Sequence, residues 1–415
     1  MNFVEKISKT KKKAAKKMFE LSGKYTTAKI FADYVEESCL SQIVSMINHP
    51  AFTEPVAIMP DTHAGKGSVI GFTMKLGDKV IPNVIGVDIG CSVLTSKVKL
   101  ETTEDLNLSK LDSEIRRSVP FGFHIRNKSL VNLEREFNWT RFQQKVCFLL
   151  NKLNPNFNIP ELNYKWLIKK FEKMNIDVYQ VQNSLGTLGS GNHYIEVGED
   201  PNPNDKSYWV TIHTGSRNLG LKVCNYWQKK ANDTCKEKCI SELKFLEFEE
   251  MYNYLIDMIF CQEFASLNRK LISQQILQNL PVFSVTQIES VHNYIDPEDL
   301  IIRKGAIKSN LNDLLVIPFN MRDGMIIAKG KGNSDWNFSA PHGAGRIMSR
   351  SKAKQELSLE EFKEQMSGIY SSSVVQSTLD EAPDAYKNAE EIINLVDPTL
   401  EIVSKIKPIM NLKSC

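Results

Sequence analysis

Five of the seven histidines in this 415-residue chain sit in short blocks, most of them built from Gly, Ser, Thr and Asn. His63 closes Pro60-Asp61-Thr62-His63, and His193 lies in Gly189-Ser190-Gly191-Asn192-His193. His213 opens His213-Thr214-Gly215-Ser216-Arg217, His292 is followed by Asn293, and His342 opens His342-Gly343-Ala344-Gly345-Arg346. Strand ends and loops of this kind are where a rigid scaffold presents side chains to a ligand. Taken singly, each is ordinarily a hydrogen-bonded structural histidine, and His49 and His124 are read as having plain structural or surface roles. Beside Asp88 and Cys91, however, the loop histidines complete a mix of imidazole, carboxylate and thiolate. That mix suits a borderline transition ion such as Mn, Zn or Fe. The spacing is not that of a structural zinc site, and no H-E-x-x-H is present. Ligands spread from Asp88 to His292 fit a catalytic site assembled by the fold. The competing reading is a set of unrelated core histidines.

Nucleotide chemistry leaves partial signs. No G-x-x-x-x-G-K-[ST] occurs, so a P-loop is excluded. Lys329 to Asn333 and Ser190 to Asn192 could cradle phosphate with backbone N–H groups, although such glycine loops are unspecific. The K-x-D-G of lysine-nucleophile ligases is missing, because Met321 stands where Asp323-Gly324 would require Lys. A covalently carried nucleotidyl group would therefore fall to a histidine.

The elements that must position these residues follow from pattern. Residues 1–50 read as helical, from the spacing of Ile30, Phe31, Val35, Cys39 and Ile43. Val56 to Leu100 is a series of β-branched runs broken by glycine, the texture of buried strands and tight turns. Helical character returns over 140–176, strands over Tyr179 to Gly220, and a long helical stretch over 223–280. Further strands are expected at Pro281–Val285 and Leu314–Pro318, with helices near Leu359–Tyr370 and Ala385–Leu395. The expected architecture is one α+β domain over 1–415, with a helical N-terminal segment over 1–50 and a helical insertion over 223–280.

Composition narrows the class. The charged fraction is 24% and the hydrophobic fraction 42%, near those of ordinary globular domains. A formal net charge of +3 is too small to announce a nucleic-acid binder, so any such surface is local. The one basic run, Lys6 to Lys17, is read as a solvated helix face. No apolar run is long enough to span a membrane, and the start carries no signal-like apolar region. Eight cysteines form no disulfide framework, and Cys235 and Cys239 are read as two chance residues of one helix. Reduced thiols and a cytoplasmic location are the expectation.

Together these blocks resemble the RtcB family of GTP-dependent RNA ligases. The resemblance runs from about Met59 to Lys413 and includes Gly86 to Cys91, Gly186 to Glu196, Arg303 to Ala306 and Glu381 to Lys387. It implies two manganese ions held by Asp88, Cys91, His193, His213 and His292, with the thiolate bridging, and GTP as co-substrate. It places the guanylylated nucleophile at His342. The nucleotide site it implies comprises Asn192, His193, Tyr194, Ile195, Glu196, His292, Asn293, Pro318, Phe319, Asn320, Met321, His342, Gly343, Ala344, Gly345 and Lys413. Glu196 would accept from guanine N1–H and N2–H while Lys413 donates to O6. Arg217 and Arg346 would hold phosphate or serve as structural braces. The implied reaction joins RNA 2′,3′-cyclic phosphate or 3′-phosphate ends to 5′-hydroxyl ends, in tRNA splicing or RNA repair, with an archease-like activator in some relatives. One departure stands out: the family's Pro-Gly-Ser-Met-Gly segment reads Pro318-Phe319-Asn320-Met321-Arg322, and Asn320 and Arg322 are expected to substitute. The alternative is a metal-dependent phosphoesterase that acts on RNA cyclic or 3′-terminal phosphates without sealing.

Overall fold

The β-branched runs become strands, and the strands sort into two principal sheets. The computed structural model describes residues 18–100, 106–202, 207–278, 280 and 282–415. The larger sheet is antiparallel throughout. Its seven strands lie in the order Val282–Val291, Ser92–Leu100, Ser207–Thr214, Tyr194–Glu199, Leu400–Leu412, Met325–Gly330 and Leu314–Pro318. A six-stranded sheet is built around Val56–His63 and Ile70–Lys75. Helices pack on these sheets rather than alternating with parallel strands, so the class is α+β as expected.

Antiparallel register gathers the chemistry. Ser92 pairs with both Val291 and Thr214, and Leu412 pairs with Ile195. Two strand starts and three strand ends therefore meet at one edge of the sheet. Cys91, His193, His213, His292 and Lys413 all lie at that edge, within one or two residues of a strand terminus.

The helix Phe248–Leu277 fixes this edge from behind. It runs 30 residues and is buried around most of its circumference, as expected of a helix in a core. Residues 223–280, expected as an insertion, are thus part of the principal core and not an appendage. Asn268 and Arg269 on this helix are fully buried. Arg269 donates to the carbonyls of Gly90 (2.9 Å) and Thr214 (2.8 Å) and to Glu289 Oε1 (2.7 Å). Asn268 accepts from Gly186 N and donates to the carbonyls of Thr187 and Gly215. Two adjacent side chains thereby tie the loops before Cys91, after His213 and before His193.

Three further expectations need correction. Of residues 1–50, the lysine run and all residues before Met18 lie outside the described residues, and among those described only Glu37–Ile47 is helical. Phe19–Ser22 and Thr27–Ile30 are strands, because Ala28 and Ile30 pair with Val56 and Ile58. The helix Asn218–Thr234 stops before Cys235, so Cys235 and Cys239 do not share it. The Lys329–Asn333 segment does not reach the site: Lys331 Nζ binds Asp397 and Gly332 N donates to Ser309. His49 is buried, and its Nδ1 accepts from Ala51 N, the structural role expected of it.

Arg269→Met should lower stability by about 3 kcal/mol, since it strands a carboxylate and two buried carbonyls. The urea midpoint, read with the denaturant slope, measures this. A loss below about 1 kcal/mol would show that the tie is dispensable.

Candidate active site

Cys91 lies at the centre of the sheet edge, 2% exposed, and two ligand sets share it. One is Cys91, His213 and His292; the other is Asp88, Cys91 and His193. Within each set the donor atoms lie within 4.8 Å of one another. Cys91 Sγ is 3.3 Å from His213 Nε2 and 3.7 Å from His193 Nε2. His213 Nε2 is 3.3 Å from His292 Nε2, and His193 Nε2 is 2.9 Å from Asp88 Oδ2.

The second ring nitrogens explain the aim. His193 Nδ1 lies 2.9 Å from the Leu188 carbonyl and His213 Nδ1 lies 3.1 Å from that of Asn192. A carbonyl only accepts, so each Nδ1 carries the proton, which leaves Nε2 of His213 to present a lone pair, while Nε2 of His193 donates to Asp88 Oδ2. Glycine keeps the approach open: a Cβ on Gly215 would sit 2.2 Å from Asp88 Oδ1.

Electrostatics show that positive charge fits here. Burial, aided by Asp88, pushes the Cys91 thiol well up. Burial and neighbouring imidazoles hold His213 and His292 well below the usual histidine range. Burial works against the Asp88 charge too, but the bond and charge of His193, with Cys91 and His213, together outweigh it and keep Asp88 below its ordinary value. Imidazoles, a shared sulfur and a carboxylate form a donor set suited to divalent ions, which would also supply the charge needed to deprotonate the thiol.

His342 adjoins this centre, its ring 4.9 Å from that of His292. It follows the short strand Ser339–Pro341. Its Nδ1 donates to Asp61 Oδ2 at 2.6 Å, and its backbone N also donates there. Asp61 is fully buried. The carboxylate takes the proton at Nδ1, so the lone pair of the neutral ring lies at Nε2. Gly345, with φ +77°, lets the loop lie against Asp61, whose carbonyl would be 2.1 Å from any Cβ there.

A cavity of about 470 Å3 opens from His213, His292 and His342 towards Tyr194, Glu196 and Lys413. Pro318 to Met321 and His342 to Gly345 also line it, together with Asn192. Three of the expected residues do not. Ile195 packs into the hydrophobic core, because side chains alternate along a strand and Tyr194 and Glu196 take the other face. Asn293 braces the Asp88 carbonyl and Gly305 N. His193 faces a second cavity of about 430 Å3, which reaches Asp88 from another side and is lined by Phe123 and Arg217.

The arginines also sort out. Arg346 is spent on Glu381, Tyr386 and the Asp380 carbonyl, and so is a brace. Arg217, with φ +56°, donates to Thr187 Oγ1 and the Gly122 carbonyl. Asn320 caps its own turn by accepting from Arg322 N and Asp323 N, and the Arg322 side chain pairs with Asp323. The expected substitution of phosphate contacts by Arg322 is therefore not what the structure displays.

A family model described as the tRNA-splicing ligase RtcB matches residues 42–414. The chain belongs to the RtcB family of RNA ligases. It is 29% identical to the RNA-splicing ligase RtcB of Escherichia coli strain K12, over 91% of this chain and 95% of that one. It is 26% identical to the tRNA-splicing ligase RtcB of Nanoarchaeum equitans, over 94% of each. Identity to the RNA-splicing ligase RtcB homolog 1 of Entamoeba histolytica is 25%, over 91% of this chain and 83% of that one. No helix among the described residues is long and apolar enough to cross a membrane.

Within this RtcB-family site, several working residues escaped the sequence reading. Asp61 orients His342, although its block was recognised. Glu381 receives Lys413 Nζ at 2.8 Å and also binds Arg346 and Arg350. Burial alone would raise Glu381, but Lys413, Arg350 and Arg346 hold it down to about 2. Burial pushes Glu196 the other way, up to about 8, with Asn411 and Lys413 offsetting only part.

The shared sulfur sets a stoichiometric expectation. On equilibrium dialysis with Mn2+ as the probe, Cys91→Ser should lower binding at both ligand sets, whereas His292→Ala and Asp88→Ala should each lower it at one. Binding by Cys91→Ser equal to that of the wild type would contradict the shared-ligand arrangement.

Proposed function

We propose that this protein joins RNA 2′,3′-cyclic phosphate or 3′-phosphate ends to 5′-hydroxyl ends, using GTP and a guanylylated His342. The observation that carries this reading is His342 itself, with Nδ1 committed to buried Asp61 and Nε2 left as a nucleophile beside the ligand cluster. A metal-dependent phosphoesterase would have no use for that nucleophile, or for the unpartnered carboxylate oxygen of Glu196 in the cavity.

Asp88, Cys91, His193, His213 and His292 would hold two manganese ions. When bound, these ions polarise phosphoryl oxygens and neutralise charge that develops during attack. The chain's own groups do the rest. Glu196 and Lys413 orient the nucleobase. Nε2 of His342 attacks the α-phosphorus, a nitrogen–phosphorus bond forms, the bond to the β-phosphate breaks, and pyrophosphate leaves. Positive charge grows on the imidazole in that step, and Asp61 stabilises it through Nδ1–H. A 3′-phosphate oxygen of the RNA, freed by hydrolysis where the end is cyclic, then takes the guanylyl group and the nitrogen–phosphorus bond breaks. The 5′-hydroxyl of the second strand attacks the 3′-phosphorus, its proton is lost, and GMP departs. The second cavity, reaching Asp88 and His193 from outside the nucleotide cavity, is the approach this reading assigns to RNA.

Incubation with α-32P-GTP and Mn2+ should leave acid-labile, alkali-stable label on the wild type and none on His342→Ala. Asp61→Asn should slow labelling by on the order of 10²-fold or more, because an amide can hold the wrong tautomer. A folded, metal-loaded wild type that takes no label would overturn the ligase reading.

Glu196 adds a pH dependence. A base that presents N–H donors binds the ionised carboxylate, while the free site holds its proton up to about pH 8. Nucleotide affinity should therefore fall as pH drops below about 8, approaching tenfold per unit. Calorimetric titration with GDP across pH 6.5 to 9 measures the slope. The slope should vanish in Glu196→Gln, and a wild type with no slope would show that Glu196 does not meet the base as an anion.

A further inference from the structure

The nucleotide cavity carries buried polar atoms that no protein group satisfies. Glu196 Oε1 and Asn411 Oδ1 both lack a hydrogen-bond partner. Each residue is only 2% exposed, and both line the cavity. Unpaired buried acceptors are costly, so a pair of them in one cavity points to a ligand that brings donors.

Their geometry is set by the sheet. Asn411 lies near the end of the strand Leu400–Leu412, and its register partner on Tyr194–Glu199 is Glu196. The two side chains stand next to each other, and Asn411 Nδ2 donates to Glu196 Oε2 at 2.7 Å. With Glu196 ionised, the state that receives N–H donors, that bond decides which way the amide points, because only its nitrogen can face a carboxylate oxygen. Oδ1 is thus the end left without a partner, and Glu196 keeps Oε1 free while Oε2 is engaged. Two residues further on, Lys413 Nζ binds Glu381 Oε2 and the Asn192 carbonyl. Of its three N–H bonds one is left over.

One donor and two acceptors therefore line this wall. Guanine offers the complement on its Watson–Crick edge, with one acceptor at O6 and donors at N1–H and the 2-amino group. Adenine has an acceptor at N1, and hypoxanthine has no 2-amino group. We propose that Asn411 is a base-specificity residue, whose Oδ1 accepts from the guanine 2-amino group while its Nδ2 holds Glu196 in place for N1–H. This rests on the guanine-nucleotide reading given above and adds a residue to it. A leucine or alanine at 411 would leave the 2-amino group facing an apolar wall and free the Glu196 carboxylate to turn.

The test compares GDP with IDP, which differ only in the 2-amino group, by calorimetry on the Mn2+-loaded full chain. Wild type should bind GDP about tenfold more tightly than IDP. In Asn411→Ala the two affinities should converge to within about twofold, with most of the change on GDP. If Asn411 merely braces the strand, the variant weakens both nucleotides equally and the ratio stays put, which overturns the proposal. The wild-type comparison needs no variant to fold: equal binding of GDP and IDP overturns the proposal by itself. Should His342 still take label from GTP in that case, only the role of Asn411 falls. A wild type that binds neither nucleotide overturns the ligase reading along with it.

Discussion

A buried thiol between two incomplete ligand sets is the constraint on which the rest of this structure depends. Cys91 is withdrawn from water among three imidazoles and a carboxylate, where burial opposes charge on the sulfur and on the rings alike. Cations that fill such a cluster would supply the charge that burial otherwise opposes. Its rings are already turned for that filled state, since the carbonyls of Leu188 and Asn192 take the Nδ1 protons and turn Nε2 of His193 and His213 towards the sulfur. That readiness requires the loops to be held, and the long buried helix does this through Asn268 and Arg269. The binding centre is thus a property of the core, transmitted through backbone carbonyls.

From this centre the two cavities acquire different characters. One joins His342 to a wall of Glu196, Asn411 and Lys413, where a buried acceptor pair meets a lysine anchored on Glu381. The other reaches Asp88 and His193 and is bordered by the exposed ring of Phe123. Because Cys91 belongs to both ligand sets, a group bound from either side meets a set that includes the same sulfur. An RNA ligase has two ends to bring together, and two cavities that reach adjoining ligand sets suit that task. The shared sulfur, rather than any single loop, is what links the two cavities.

Much of the site was legible because its chemistry restricts residue type. Cys91, His193, His213, His292 and His342 could be named from their blocks, and so could Glu196 and Lys413. What stayed hidden depends on distance. Asp61 sits in a recognised block, but its partner His342 is 281 positions away. Arg269 bonds chiefly to carbonyls, which leave no mark on sequence. Ile195 was assigned to the nucleotide although the alternation along its strand already turned it from Tyr194 and Glu196. The N-terminal strands were missed for a related reason. Four residues such as Thr27 to Ile30 are too few to outvote a helical spacing, and their pairing with Val56 to Ile58 is a tertiary choice. The departures at Phe319 and Asn320 were visible, but their consequence, a self-capped turn with Arg322 held on Asp323, was not.

Anomalous diffraction at the manganese edge, on crystals grown with Mn2+ and GTP, tests the central claim most directly. The expected result is two anomalous peaks, each bonded to Cys91 Sγ, with guanylyl density continuous with Nε2 of His342 and its base against Glu196 and Asn411. A single peak, or two peaks that do not share the sulfur, would contradict the account, as would a guanylyl group attached anywhere but His342.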